Sequence, residues 1–328
     1  MPAPLVTRIY QGTPHNLRVL GNRLRRGELV AAPTETVYGL AGDATSVPAC
    51  EAIFAAKERP PHDPLIVHVA SRAQAHSLAH WNNDADALAR AFWPGPLTFV
   101  LPKQDNVPDI VTSGRPSVAV RMPKHPLFRQ LLKAAGRPLA APSANPFGYI
   151  SPTTAQHVKT SLDGRIRSIL NGGPCAIGIE STIVDLRKPA RPVLLRPGAI
   201  TAEQIGAVLG CAVRAPRKPT AASPLQVDAP GMLDRHYSPT TPLVLHDSLP
   251  GATPAHEARV YFHHEAPSPS NEYSLSADGS GKSAAHRLFS LLRELDRANW
   301  RRLHFERVPD SDPWAPSVND RLQRAAAR

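Results

Sequence analysis

The 328-residue sequence is sparing with the residues that mark several protein classes. It holds three cysteines, Cys50, Cys175 and Cys211, odd in number and far apart, which fits neither a disulfide framework nor a C-x-x-C metal site. Its 14 histidines form no H-x-H or H-E-x-x-H spacing, so no tightly bound protein metal is expected. No uncharged apolar run approaches the roughly 18 residues of a membrane span, so no membrane contact is expected. The opening M-P-A-P-L-V-T-R-I-Y-Q-G-T-P has no apolar stretch behind a basic one, so no secretory leader is expected and a reducing cytoplasm is the expected setting. Aromatics are only 5% of the chain, with no RNP-like aromatic run and no arginine-rich tail, which argues against a dedicated RNA-binding module. A Ser-His-Asp or Cys-His arrangement for nucleophilic catalysis is also missing.

What is present is an ordinary globular composition, 42% apolar and 20% charged, long enough for about two domains. Proline is abundant, 36 residues, about twice the usual share. The net charge of +11 is uneven. Residues 1–210 carry 23 Lys and Arg against 14 Asp and Glu, an excess of nine, whereas residues 211–328 carry 15 against 13, an excess of two. A basic excess on one domain suggests anionic partners such as nucleotide, carboxylate or RNA; it also serves solubility.

The first 210 residues alternate β-rich runs with helical patterns, which predicts one layered α/β domain. Strands are expected at 29–32, 65–69, 97–101, 118–120, 182–186 and 193–195. Helices are expected at 16–24 and 49–57, from an N-cap at Asp84 to Trp93, and from Pro126 to Ala135 with Gly136 ending it. Ser151-Pro152 reads as an N-cap and first-turn pair, and Thr201 with Gln204 as a capping box. From Arg214 the chain turns rich in Pro, Ala and Ser and reads as a linker. A small second α/β unit follows, with strands at 243–245, 260–262 and 303–305 and a helix carrying Leu288, Leu291, Leu292 and Leu295 on one stripe; 267–281 reads as a polar loop. Gly279-Ser280-Gly281-Lys282-Ser283 resembles the end of a P-loop. Its full pattern fails because Ser276 stands where glycine is required, and a Gly/Ser loop entering a helix explains it equally well.

Polar residues recur at the junctions of strands and loops in the first domain. Pro33-Thr34-Glu35-Thr36 follows a strand, Lys57-Glu58-Arg59-Pro60 ends a helix, Arg121 follows Ser117–Val120, and Ala141-Pro142-Ser143-Ala144-Asn145 ends a β-like run. Glu180-Ser181 precedes a strand and Arg196 ends another. Alone, each is a turn or a cap; the ends of strands in an open α/β sheet are also where ligands bind. Together they describe a basic concave site without an enzyme nucleophile.

These residues occur in motifs, P-T-E-T-V-Y-G-L, K-x-R-P, P-L-I-V-H, W-P-G-P-L-T, V-A-V-R-M-P, A-P-S-A-N, S-P-T-T, G-I-E-S-T-I-V-D and L-R-P-G, that resemble the YrdC-like threonylcarbamoyl-AMP synthases over most of residues 14–210. A-P-G-M-L-x-x-H-Y-S-P and N-D-R-L-x-R-A-A resemble the long form of that family. The resemblance implies a twisted, open, mixed α/β sheet around a basic crevice in residues 1–212, a linker and lid in 213–241, and a smaller Rossmann-like α/β domain in 242–328. It implies an enzyme, a nucleotidyltransferase that joins L-threonine, bicarbonate or CO2 and ATP into threonylcarbamoyl-AMP, releasing pyrophosphate, for a downstream transferase that modifies tRNA beside the anticodon.

By the same resemblance Thr36, His68, Arg121, Ala141 and Ser181 would bind threonine, and Lys57, Arg59, Ser143 and Asn145 would be catalytic. Arg59, Asp63, Ser117, Ser143, Ser151, Arg196 and Tyr237 would serve ATP, with magnesium arriving alongside it. Asp63 stands where the family often has asparagine. A weak direct contact with tRNA belongs to this expectation. The rival readings are a non-catalytic tRNA- or RNA-binding accessory protein and a carbamoyl-transfer relative on the same fold.

Overall fold

The computed structural model describes residues 5–215, 236–251, 254–265 and 270–327. Ten strands form one mixed sheet: β1 (Arg8–Gln11), β2 (Val30–Pro33), β3 (Tyr38–Asp43), β4 (Ile66–His68), β5 (Leu97–Pro102), β6 (Ser117–Arg121), β7 (Leu139–Ala140), β8 (Ser168–Asn171), β9 (Thr182–Asp185) and β10 (Val193–Arg196). Their order is β1-β8-β2-β3-β7-β4-β6-β5-β9-β10. Strands β2 to β6 and β9 are buried along nearly their whole length, and helices pack on the sheet. Helix α1 (Pro14–Arg25) starts at Thr13, whose side chain accepts from the Asn16 N–H, and buries Leu17, Leu20 and Leu24. These meet Phe128, Leu131, Leu132 and Ala135 in a single core cluster; the four lie at helical spacing on a second helix, Pro126–Ala135, which stops at left-handed Gly136. Each such fully buried Leu contributes roughly 1.5–3 kcal/mol.

The second unit has four parallel strands, β11 (Leu243–His246), β12 (Glu257–His263), β13 (Glu272–Ser276) and β14 (Arg302–Glu306), in the order β11-β14-β12-β13. The helices Gly281–Arg297 and Ala315–Ala326 pack on it. Leu288, Leu291, Leu292 and Leu295 of the former are all buried, as their spacing predicts. The core of this unit continues into the first through Val37, Ile150 and Ile179. Gly178 makes the approach possible: a Cβ there would lie 2.6 Å from the Ala285 carbonyl oxygen, and its φ of +89° is a left-handed value.

Several sequence expectations are corrected. Ser151-Pro152 does not open a helix: Thr154 is the N-cap of Ala155–Leu162, and Ser151 is buried with its hydroxyl on Glu180. The helix expected from Asp84 is capped by Asn82 and ends at Phe92. The segment 267–281 contains β13: E-Y-S-L-S alternates Tyr273 and Leu275 with polar residues, a short period-two signal hidden among the flanking Pro, Ser, Asp and Gly. Strands β1, β3 and β8 and the helices Arg72–His76, Asp109–Thr112 and Ala315–Ala326 were not anticipated. The Thr201–Gln204 capping box forms as read, and Ser280 caps the helix that follows the P-loop-like segment. Most of the expected linker, residues 216–235, lies outside the described residues. No described helix is long and apolar enough to cross a membrane.

Candidate active site

The ends of β2, β4, β6, β7 and β10 and the starts of β3 and β9 meet around one partly open cavity, its inner space about 50 Å³. Thr36, Arg59, His68, Arg121, Ala141, Ser143, Ser181, Arg196 and Tyr237 all line it, although they are spread over 200 positions of sequence. A larger cavity of about 570 Å³, lined by Leu29, Ala52, Ala55 and Ala56 with Glu58 and Arg165 among its polar groups, contains none of them.

Sheet register explains the first half of this convergence. His68 and Arg121 are direct partners across β4 and β6, so their side chains rise side by side at the strand ends. Arg121 Nη1 donates to Thr36 Oγ1 at 3.0 Å, its Nη2 lies 2.6 Å from Glu35 Oε1, and its Nε donates to the Gly95 carbonyl. Burial pushes the Glu35 carboxyl up, but the Arg121 charge and hydrogen bond outweigh it and hold the group below its usual value. His68 is driven down to about 3, first by burial and then by the Arg121 charge, so its imidazole is neutral at ordinary pH. Its Nδ1 sits 3.3 Å from the Ile66 carbonyl.

The other half is built on loops. Arg196 donates from Nε to the Ser181 carbonyl at 3.0 Å and from Nη2 to Ser181 Oγ at 3.1 Å, while Thr98 shares that hydroxyl at 2.8 Å. Gly198 lets the chain after Arg196 lie flat on β9, since a Cβ there would come within 2.5 Å of the Thr182 nitrogen. Arg59 leaves the end of the Val47–Lys57 helix through Glu58, which is left-handed at φ 53°. It donates to the Asp63 and Pro64 carbonyls and pairs with the Asp63 carboxylate at 2.9 Å. Burial pushes the pKa of Arg59 and Arg196 down, so a negative ligand beside them relieves a charge that the fold has desolvated.

The remaining expected residues stand one layer back. Lys57 is 1% exposed and donates to the carbonyls of Ser143 and Asn145, both at 2.5 Å, so K-x-R and S-x-N are tied together physically. Burial, then the Arg59 charge, pushes its pKa well below the ordinary lysine value. Asn145 uses its amide nitrogen on the Pro146 and Tyr149 carbonyls, leaving Oδ1 buried without a partner among the described residues. Asp63 is fully buried behind Arg59, and burial raises its pKa. Ser151 gives its hydroxyl to Glu180 at 2.5 Å. Ser117 opens β6, at the opposite end of that strand from Arg121.

Four groups of the site were not singled out from sequence: Glu35 and Glu180, present in the motifs but paired over long sequence distances, Thr34, which bonds Thr36 at 2.7 Å, and His236. His236 and Tyr237 reach into the cavity from the far side. Tyr237 is 0% exposed at φ 61°, and its hydroxyl and the Nδ1 of His236 have no hydrogen-bond partner among the described residues. Desolvation raises the tyrosine to about 12.

A buried cationic cavity at the strand ends of a mixed sheet, with no nucleophile–base pair among its lining residues, marks an α/β protein that binds small anionic ligands. Residues 22–198 match the Sua5/YciO/YrdC family model, described as telomere recombination, and residues 200–327 match the threonylcarbamoyl-AMP synthase C-terminal domain. The chain belongs to the threonylcarbamoyl-AMP synthase family, whose members are enzymes of nucleotidyltransferase type.

The chain is 46% identical over 230 residues to the threonylcarbamoyl-AMP synthase of Pyrococcus abyssi and 45% identical over 240 residues to that of Bacillus subtilis. These alignments take in 70% and 69% of this chain but only 67% and 65% of those proteins. The crystal structure of P. abyssi Sua5 complexed with L-threonine matches with a TM-score of 0.86 at 34% identity, covering 98% of this chain and 97% of that one. Escherichia coli YciO, at 21% identity and a TM-score of 0.52 over 59% of this chain, shares the fold.

Proposed function

We propose that this protein forms L-threonylcarbamoyl-AMP and pyrophosphate from L-threonine, bicarbonate or CO2 and ATP, supplying a transferase that modifies tRNA next to the anticodon. The observation that carries the reading is the gathering of Arg59, Arg121 and Arg196 into one buried cavity with hydroxyls and strand-end backbone. Threonine brings a carboxylate, ATP a triphosphate and bicarbonate a negative charge, and three fixed guanidiniums suit a carboxylate and a phosphate chain at the same time.

In this reading Arg121, fixed by Glu35, takes the threonine carboxylate, and Thr36, Ser181 and neutral His68 surround the amino acid. The backbone at Ala141 lies near it. A neutral imidazole matters here because a second cation beside Arg121 would repel the threonine ammonium. The threonine ammonium first gives up a proton. The free amine then adds to CO2 with loss of a second proton, or to bicarbonate with loss of water, and the carbamate oxygen attacks the α-phosphorus of ATP as pyrophosphate leaves. Arg59 and Arg196 neutralise the charge that builds on the phosphoryl oxygens. Ser143 and the Asn145 Oδ1 orient the reacting groups, held by Lys57, while Ser151 serves the nucleotide half from behind through Glu180 and Ser117 supports it from the far end of β6. Asp63 serves by fixing Arg59. Tyr237 and His236 cover the site and keep water from a labile mixed anhydride.

Magnesium enters as the counter-ion of the triphosphate. The nearby carboxylates of Glu35, Glu180 and Asp63 are each paired with an arginine, a donor set that does not suit a resident metal centre. A cytoplasmic setting and a weak, direct tRNA contact complete the proposal.

The test is pyrophosphate release by the purified chain. It should require threonine, bicarbonate and ATP together and yield threonylcarbamoyl-adenylate; release that continues without threonine, or no adenylate at all, rejects the reading.

A further inference from the structure

Two arginines of the second unit are buried against the first, and one of them, Arg321, contacts Glu180 of the cavity lining. Arg293 and Arg321 are 1% and 0% exposed. Arg293 donates to the Ile150 and Ser151 carbonyls and, at 3.0 Å, to Ser161 Oγ. Arg321 Nε lies 3.2 Å from Glu180 Oε2, and its Nη1 donates at 2.8 Å to the carbonyl of Pro197, the residue after Arg196. The other oxygen of Glu180 accepts from Ser151 Oγ. A continuous chain, Arg321 to Glu180 to Ser151, therefore runs from the last helix of the protein to the cavity lining.

Adhesion between the units does not explain this chain. Val37, Ile150 and Ile179 already join Leu288 and Phe289 in a shared apolar core, and a buried ion pair adds little stability over an apolar contact of the same shape. Electrostatics gives a sharper reason. Glu180 lines the wall of a cavity proposed to receive a triphosphate, and it is 7% exposed, so water does little to screen it. Left without a counter-charge, its carboxylate would repel phosphate and lose its grip on Ser151.

We infer that Arg321 is a positioning residue for the nucleotide half of the site, acting through Glu180: it neutralises that carboxylate and holds it against Ser151. The C-terminal unit thereby completes the ATP site. This inference rests on the functional reading above. Ser151 and Pro197 belong to or adjoin the ATP half, and Ser181, the threonine group next to Glu180, is held separately by Thr98 and Arg196, so the effect falls on nucleotide and largely spares threonine.

The experiment measures binding of a non-hydrolysable ATP analogue and, separately, of L-threonine to the full chain by calorimetry. It compares wild type with R321M, E180Q and R321M/E180Q, and each variant is also melted thermally. R321M should bind the ATP analogue about tenfold more weakly, the size of one lost charge-assisted contact. Its threonine affinity should stay within about twofold, and adding E180Q should return analogue binding to within about threefold of wild type.

Unchanged analogue binding in folded R321M overturns the inference, as does an equal loss for both ligands. A loss that E180Q does not relieve also overturns it, because Arg321 would then touch the nucleotide itself. Should R321M not fold, R321K answers the same question, with about a threefold loss for the analogue alone expected. Binding is read without turnover, so a chain that binds the analogue yet makes no adenylate rejects the functional reading and leaves this result intact.

Discussion

In the large-sheet cavity Arg59, Arg121 and Arg196 line the wall with, among the described residues, a single carboxylate, Glu180, while Lys57, Arg321, Glu35, Asp63 and Asp320 stand behind them. On the small sheet the charges match instead: Arg259 meets Glu272 at 3.0 Å across β12 and β13, and Glu257 accepts from His304 at 2.8 Å with Arg302 4.0 Å away. Glu257, Arg259 and Tyr261 alternate along β12 with the buried Ala258 and Val260, so the ionic groups share the face turned away from the core. The comparison separates two uses of the same side chains. Where pairs balance, charge organises a surface. Where cations outnumber anions along a buried cavity wall, the fold has left room for negative charge to arrive from outside.

The largest effect should follow from emptying the cavity of a cation. Arg59→Gln should lower kcat/KM for adenylate formation at least a hundredfold, the usual scale for one lost donor to developing charge. Circular dichroism should remain that of wild type. The fold should tolerate the change because burial already pushes Asp63 towards its protonated form, so the abandoned carboxylate takes up a proton instead of standing bare. Wild-type rates in this variant would mean that Arg59 is only a helix-end cation, and the contrast between the two regions would collapse.

How much of this was legible from sequence also divides by region. Arg59, Arg121, Arg196, Thr36 and Ser143 are legible because polar groups recur together at strand and helix ends, where ligands bind in an open α/β sheet, and because their motifs resemble one family; alone, each reads as a turn or a cap. Their partners are not: Glu35 meets Arg121 across 86 positions, and Arg321 meets Glu180 across 141, distances over which no local pattern carries information. Arg293 is fully buried on a helix where an arginine ordinarily reads as a solvated face. Strand β3 was hidden by its glycines: Y-G-L-A-G-D reads as a turn unless the tight packing of its neighbours is known. In the small sheet, β12 and β14 were visible as short apolar cores, but their full length includes the charged residues that pair across the open face.

A smaller effect tests the neutral histidine. His68 has a folded pKa near 3 against an ordinary value of 6.5, so below pH 6.5 the unfolded chain binds the extra proton. Its contribution to stability is complete above pH 6.5, falls as pH drops, and is exhausted near pH 3. Urea unfolding of wild type should therefore show a loss on the order of 1–2 kcal/mol between pH 7 and 5 that His68→Gln does not show. Parallel pH slopes in the two proteins would place a charged or water-exposed imidazole at the centre of the threonine half. His157 and His236 are lowered too, so the difference between the slopes, not the slope itself, is the quantity to read.

The smallest effect belongs to the balanced region, and its smallness is the point. Arg259 has 12% of its side chain exposed and Glu272 has 9%, so they are shielded by flat neighbours at the surface of a sheet and not by depth. Arg259 also donates to the Pro250 carbonyl and stacks 5.2 Å from the Tyr261 ring, which spreads its contribution over several weak contacts. Arg259→Met should lower stability by about 1 kcal/mol or less, because Glu272 keeps Tyr261 as a donor at 3.1 Å and water on its open side. The rate of adenylate formation should stay within about twofold of wild type, as expected for a substitution far from the reacting groups. A tenfold loss of activity here would show that the outer face of the small sheet is coupled to the cavity, and that its matched charges do more than organise a surface.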